Sequence, residues 1–241
     1  GQAALLRFSY GHFFQMPPLY AMYSNSNWLI SPNNYATILG NPNLEAEKTV
    51  NYELGFWQEI NRDMGVEVVL FYKDIYNLLS TRTITTYNTV KYGLYSNKDY
   101  GNVRGLELVY DYNAGPISVV ANYTFQYTRG IADSPTSSFS REGANQDPIT
   151  KLIPLEWDQR HTMNVTAGYN TKKYGATLSI FYNSGSAYTF EPISENPLAN
   201  VNLLPNNSYK PSNYTINLSS YYNLFKTGSR ITFEIYNLFD T

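Results

Sequence analysis

Apolar and polar residues alternate with a period of two along most of this chain. In NYELGFW, Tyr52, Leu54 and Phe56 share one face while Asn51, Glu53 and Gly55 share the other. Successive side chains of a strand point to opposite faces, so the spacing predicts β-strands rather than helices. The scheme returns in Leu106, Leu108, Tyr110 and Tyr112, in Ile117, Val119, Ala121, Tyr123 and Phe125, and in Met163, Val165, Ala167 and Tyr169. It recurs in Ala176, Leu178, Ile180 and Tyr182, in Tyr214, Ile216 and Leu218, and in Ile231, Phe233 and Ile235. About nine such strands can be counted, with no convincing amphipathic helix between them.

Two kinds of connection join these strands. Ile60 to Gly65, Asn113 to Pro116, Thr171 to Gly175 and Leu224 to Ser229 are tight turns. Gln15 to Thr49, Ser80 to Lys98, Ile131 to Asp158 and Ala187 to Ser212 are long, and rich in Asn, Ser, Pro, Tyr and Thr. Connections of that length without structure of their own are uncommon in compact soluble domains, and here they alternate with the short turns. One end of the sheet is trimmed and the other elaborated.

Composition narrows the choices. The 241 residues are 43% hydrophobic and 16% aromatic, with 24 tyrosines, only 15% charged and a net charge of -2. That is too aromatic for disorder, and a charge near zero gives no basic surface for a phosphate backbone, which argues against nucleic acid as a partner. The absence of cysteine excludes disulfides and thiolate metal sites. The longest comparable apolar run, Val68 to Tyr72, falls far short of the roughly 18 residues of a spanning helix, so any crossing of a membrane is made by strands. The chain opens GQAALLRFSY without a leader, so a signal peptide is expected to have been removed or to lie outside it.

Short turns on one side, long loops on the other and strands with one apolar face and aromatic ends describe an all-β, antiparallel transmembrane β-barrel. In lipid the outward face is apolar and the lumen polar, so Tyr52, Leu54 and Phe56 are expected to meet lipid and Glu53 to point inward. A soluble β-sandwich binding module shows the same alternation, with the apolar faces packed on each other. Loop asymmetry and strand-end tyrosines such as Tyr110, Tyr112, Tyr182 and Tyr222 favour the barrel.

Several motifs resemble one family in its own order. RFSYGHFFQMPPLYAMY resembles its strand ending in Phe-x-x-Pro, and GNPNLEAEKTVNYELGF its Asn-Pro-x-Leu, Glu-Lys and Tyr-Glu-x-Gly signature, here Asn41, Pro42, Leu44, Glu47, Tyr52, Glu53 and Gly55. FYKDIYNLL, NVRGLEL, ANYTFQYTRG, DQRHTMNV and IYNLFD follow, the last bringing Asn237, Leu238 and Phe239. The chain is identified as similar to the TonB-dependent outer-membrane receptors, and the LEWDQRHT style to members with a carboxypeptidase-like N-terminal extension. The resemblance implies a barrel of about 22 strands, closed by an N-terminal plug domain and importing a scarce ligand, with energy delivered through TonB. It implies the outer membrane of a Gram-negative cell, outer-membrane lipid as a partner and, in some members, a surface lipoprotein. On this pattern residues 1–241 are expected to be the C-terminal portion of a larger barrel, about nine to ten strands, with plug, early strands and final strand outside the chain. A passive porin-like or ligand-binding barrel is the alternative.

Candidate residues follow from face and loop. Glu53, Glu67, Arg104, Glu107, Asp111, Arg230 and Glu234 are expected on the inward face, as ion pairs along the wall or, by the resemblance, as contacts to the plug. Trp28, Tyr35, Tyr87, Tyr92, Tyr95 and Phe139 supply aromatic surface for a metal chelate, vitamin, glycan or peptide in the long loops. Trp157, Asp158, Arg160 and His161 invite a catalytic or metal reading, but His12 is the one other histidine and no nucleophile, base and orienter line up. Hydrogen bonding at a strand start is the expectation for them. Neither an enzyme, a cofactor nor a metal site is expected.

Overall fold

A computed structural model of the chain describes residues 3–24, 37–87, 91–132, 134–190, 204–224 and 228–239. Its elements are β1 (Ala4–Gln15), α1 (Leu19–Tyr23), β2 (Ile38–Leu39), β3 (Glu47–Asn61), β4 (Met64–Thr85), β5 (Lys91–Ala114) and β6 (Ile117–Gly130). There follow α2 (Ser137–Gly143), β7 (Ile153–Pro154), β8 (His161–Asn170), β9 (Tyr174–Asn183), β10 (Ala187–Tyr188), β11 (Ser208–Tyr209), β12 (Asn213–Leu224) and β13 (Ser229–Ile235). Among these, no helix is long and apolar enough to cross a membrane.

Nine strands form one antiparallel meander in the order β1-β3-β4-β5-β6-β8-β9-β12-β13. The short β2 and β7 attach to β5 and β6, and β10 pairs with β11 in a separate small ladder. Consecutive strands are neighbours because each tight turn, at 62–63, 115–116 and 171–173, returns the chain beside itself. Gly115 serves its turn with φ of 56°, a conformation costly for any residue with a Cβ. Of the fourth expected turn, Leu224 to Ser229, residues 225–227 lie outside the described residues.

Register keeps the two faces separate across the meander. Phe8, Leu54, Leu70, Leu106 and Phe125 form one cross-strand row, and Met163, Tyr182 and Tyr214 continue the row of Leu108 and Tyr123. Among the described residues no second sheet covers them: Phe8 is 70% and Leu70 52% exposed. The sandwich alternative fails on that point, since its apolar faces would bury each other. A continuous apolar face of this extent on a single sheet marks contact with lipid or a partner rather than with water.

Two expectations are corrected. The expected loop from Ser80 to Lys98 is largely ladder among the described residues: β4 and β5 carry on as a pair to Thr85 and Lys91. Its Thr, Ile and Tyr residues are strong strand formers, and that propensity outweighs the loop-like Asn and Ser. The long connections also hold helix, although only the short α1 and α2.

Candidate functional site

The polar face carries most of the expected wall charges. Ser9, Glu53, Phe71, Gly105 and Gln126 form one of its rows, Arg7, Gly55, Val69, Glu107 and Thr124 the next. Arg7 donates to Glu67 at 2.8 Å. Asn51 donates to Glu53 at 2.9 Å. Arg230 donates to Asn223 at 2.8 Å and lies 4.5 Å from the Tyr221 ring centroid, while Tyr236 donates to Glu234 at 2.8 Å. Glu107 and Asp111 are exposed on this face.

Arg104 stands on the opposite face. It pairs in register with Tyr72 and Tyr127, beside Leu106, and its guanidinium lies 5.9 Å from the Tyr127 ring centroid. It lies three positions before Glu107, an odd offset in a period of two, so one strand cannot aim both the same way.

At the long-loop end, connections converge on the extended β4–β5 ladder. Two register shifts between Ile75 and Leu79 mark bulges there, and Asn77 takes φ of 59°. Helix α2 docks on the ladder through Glu142, which accepts from Thr83 and pairs with Lys91 at 3.6 Å. A cleft of about 320 Å³ opens beside it, lined among others by Lys98, Asp99, Ser138, Arg141 and Gln146. Burial raises the Asp99 carboxyl above its usual range, against the opposing pull of Ser80 and Lys98.

Asp158 organises a second cluster. Its carboxylate, wholly buried, accepts from Thr128 N–H at 2.8 Å, from Tyr209 at 2.7 Å and from Arg160 at 3.4 Å. Burial, then the bond to Asp158, raises the Tyr209 hydroxyl. His161 shares a hydrogen bond of 2.7 Å with Tyr123, and Trp157 is exposed. No group of three or more His, Cys, Asp or Glu gathers for a metal among the described residues. Asp158 fastens the start of β8 to the end of β6, a hydrogen-bonding role.

A family model described as TonB dependent receptor-like, beta-barrel matches residues 2–238. The chain belongs to the TonB-dependent receptor family. Three solved structures share its fold. The outer membrane transporter YddB from Escherichia coli is 11% identical with a TM-score of 0.65, covering 99% of this chain and 35% of that one. The siderophore receptor PirA from Pseudomonas aeruginosa is 18% identical at 0.57, covering 99% and 34%. The copper transporter OprC is 11% identical at 0.62, covering 99% and 31%. No curated protein matches the chain. The chain thus spans about a third of the length of these solved proteins.

Within this receptor barrel the motif residues have structural work. Asn41 donates to Tyr95 O at 2.9 Å and accepts from Asn43 N–H at 3.0 Å, just ahead of Leu44, which is buried with Ala21 and Leu79. Asn77 donates to Glu45 at 3.1 Å, and Leu79 N–H donates to Glu47 at 3.3 Å. Pro42 lies in the turn between these anchors. The motif thereby supplies partners to a ladder that the bulges interrupt. Tyr52 packs between Tyr10 and Tyr72 on the apolar face, its ring tilted to both, with centroids 5.1 and 6.4 Å away. Asn237 N–H donates to Asn217 at 2.9 Å and Leu238 N–H to Ile216 O at 2.8 Å, leaving Phe239 exposed.

The loop aromatics of the receptor divide. Trp28 and Tyr35 lie outside the described residues. Tyr87 is fully exposed, Tyr92 half-buried, and Tyr95 packs against Tyr20 with centroids 6.0 Å apart. Phe139 is 1% exposed and packs over Gly93, so it anchors α2 instead of offering surface to a ligand. The cleft residues Lys98, Asp99 and Arg141 were not among the sequence candidates, because no local pattern brings β5 to the loop after β6.

Proposed function

We propose that this chain forms part of the wall of an outer-membrane barrel that imports a scarce ligand with energy from TonB. The observation that carries the reading is the apolar face that runs across the nine-strand meander, with arginine at its long-loop rim, opposite a polar face, in a chain of the TonB-dependent receptor family. Lipid covers the apolar face, and the polar face, with Glu107 and Asp111 projecting from it, borders the lumen and the plug domain. The ligand is a metal chelate, vitamin, glycan or peptide. PirA and OprC, titled siderophore receptor and copper transporter, favour the metal-chelate end of that range.

Uptake in cells tests the reading. Cells carrying the complete receptor are grown with the candidate ligand limiting, with and without TonB. Growth that needs both the receptor and TonB is the expected result. Growth that needs the receptor but survives loss of TonB overturns energised import and leaves a passive porin-like barrel.

A further inference from the structure

Two guanidinium groups meet one tyrosine at the long-loop rim of the apolar face, and a third arginine follows on the same strand face. Tyr10, Tyr52, Tyr72, Arg104 and Tyr127 form a single register row there. Arg104 and Arg160 lie 5.9 and 4.4 Å from the Tyr127 ring centroid. Arg129 follows Tyr127 by two residues on the same face, opposite Asn102. Arginine on a lipid-facing strand is tolerated near the interface and opposed at mid-membrane, so this row marks the edge of the hydrocarbon.

The neighbouring carboxylates are already engaged. Asp74 accepts from Tyr100 and from Asn102, and Asp158 is saturated by Thr128, Tyr209 and Arg160. Among the described residues Arg104 and Arg129 enter no salt bridge. Arg129 Nε is buried and has no hydrogen-bond acceptor there. A buried donor without an acceptor is costly, and two guanidinium forks without carboxylates suit a phosphate, which they bind bidentately. Below them Leu106, Leu108 and Phe125 present apolar surface that acyl chains can cover.

The geometry points to a site for a phosphorylated lipid of the leaflet on the long-loop side, its headgroup phosphate held by Arg104 and Arg129 with Arg160 at the rim. This rests on the chain being a membrane-embedded wall.

The complete receptor is reconstituted in phosphatidylcholine nanodiscs containing a trace of a bisphosphorylated glycolipid or of its dephosphorylated counterpart. Lipid retained per receptor is counted by native mass spectrometry, and heat-dependent gel migration checks that each barrel is folded. The wild type retains the phosphorylated lipid, and millimolar inorganic phosphate does not displace it. Arg104→Gln with Arg129→Gln lowers retention about tenfold, while Lys172→Gln with Lys173→Gln, at a short turn, leaves it unchanged. If the double variant does not fold, Arg129→Gln alone is read in its place. Equal retention by the folded arginine variant, equal retention of the dephosphorylated lipid, or displacement by inorganic phosphate overturns the site. A wild type that forms no folded barrel in the bilayer overturns the membrane reading instead.

Discussion

Arg7 on β1 reaches Glu67 on β4 at 2.8 Å by crossing β3 at Gly55. A Cβ at Gly55 would lie 2.5 Å from Arg7 Nε and 2.8 Å from its Cγ. The glycine of the Tyr-Glu-x-Gly motif thus leaves a lane through which a side chain spans a whole strand.

That lane predicts a coupling. Arg7→Ala, Glu67→Ala and the double variant, unfolded in denaturant at low salt, should give an interaction of about 0.2–1 kcal/mol, the modest value of an exposed pair. In a Gly55→Ala background the coupling should vanish, because the Cβ displaces a flexible side chain and leaves the backbone in place. Coupling that persists there contradicts the crossing.

Gly105 offers the contrasting case. A Cβ there would come within 2.3 Å of Phe125 O and 2.5 Å of the Phe71 ring. Backbone cannot swing aside as Arg7 can, so Gly105→Ala should cost about 1–3 kcal/mol of overpacking. Chemical denaturation of the two alanine variants side by side should place Gly105→Ala well below Gly55→Ala in stability.

Asp158 tests the fastening of β8. Replacement by Ala strands the buried Thr128 N–H and should cost about 1–3 kcal/mol, whereas Asn keeps an acceptor oxygen and should cost less. Hydrogen exchange at the Thr128 amide is the direct measure: strongly accelerated in Asp158→Ala, close to wild type in Asp158→Asn.

Asp99 predicts a pH dependence in the loop end, outside the membrane-spanning part of β5. Its carboxyl is raised in the folded protein, chiefly by burial, so the fold binds the proton more tightly than the unfolded chain does. The stabilisation is therefore complete below the ordinary carboxyl value near about 4 and is lost as pH rises through the raised value. Protease cleavage within 131–150 should grow easier from mildly acidic to neutral pH, and Asp99→Asn should remove the trend. A wild-type loop insensitive to pH would refute the assignment.

Strand alternation carried much of the fold because it is local. Tyr52, Leu54 and Phe56 oppose Glu53 and Gly55 whatever the partner strand, and the tight turns at Asn113–Pro116 and Thr171–Gly175 follow from their own residues. Arg104 was read onto the inward face from its charge, and the structure places it on the other. Its parity sets it with Leu106 and Leu108, and its charge suggests the polar face only if that parity is set aside.

By itself, then, the sequence determined the strand faces, the meander and the family, since each rests on neighbours along the chain. Only the tertiary structure decided that the ladder continues through Thr85 and Lys91, that Phe139 is covered, that Arg7 passes over Gly55 and that Asp158 ties β8 to β6. Those depend on bulges, on the offset between paired strands and on which loop folds back over which edge, and no periodicity within a single strand encodes them.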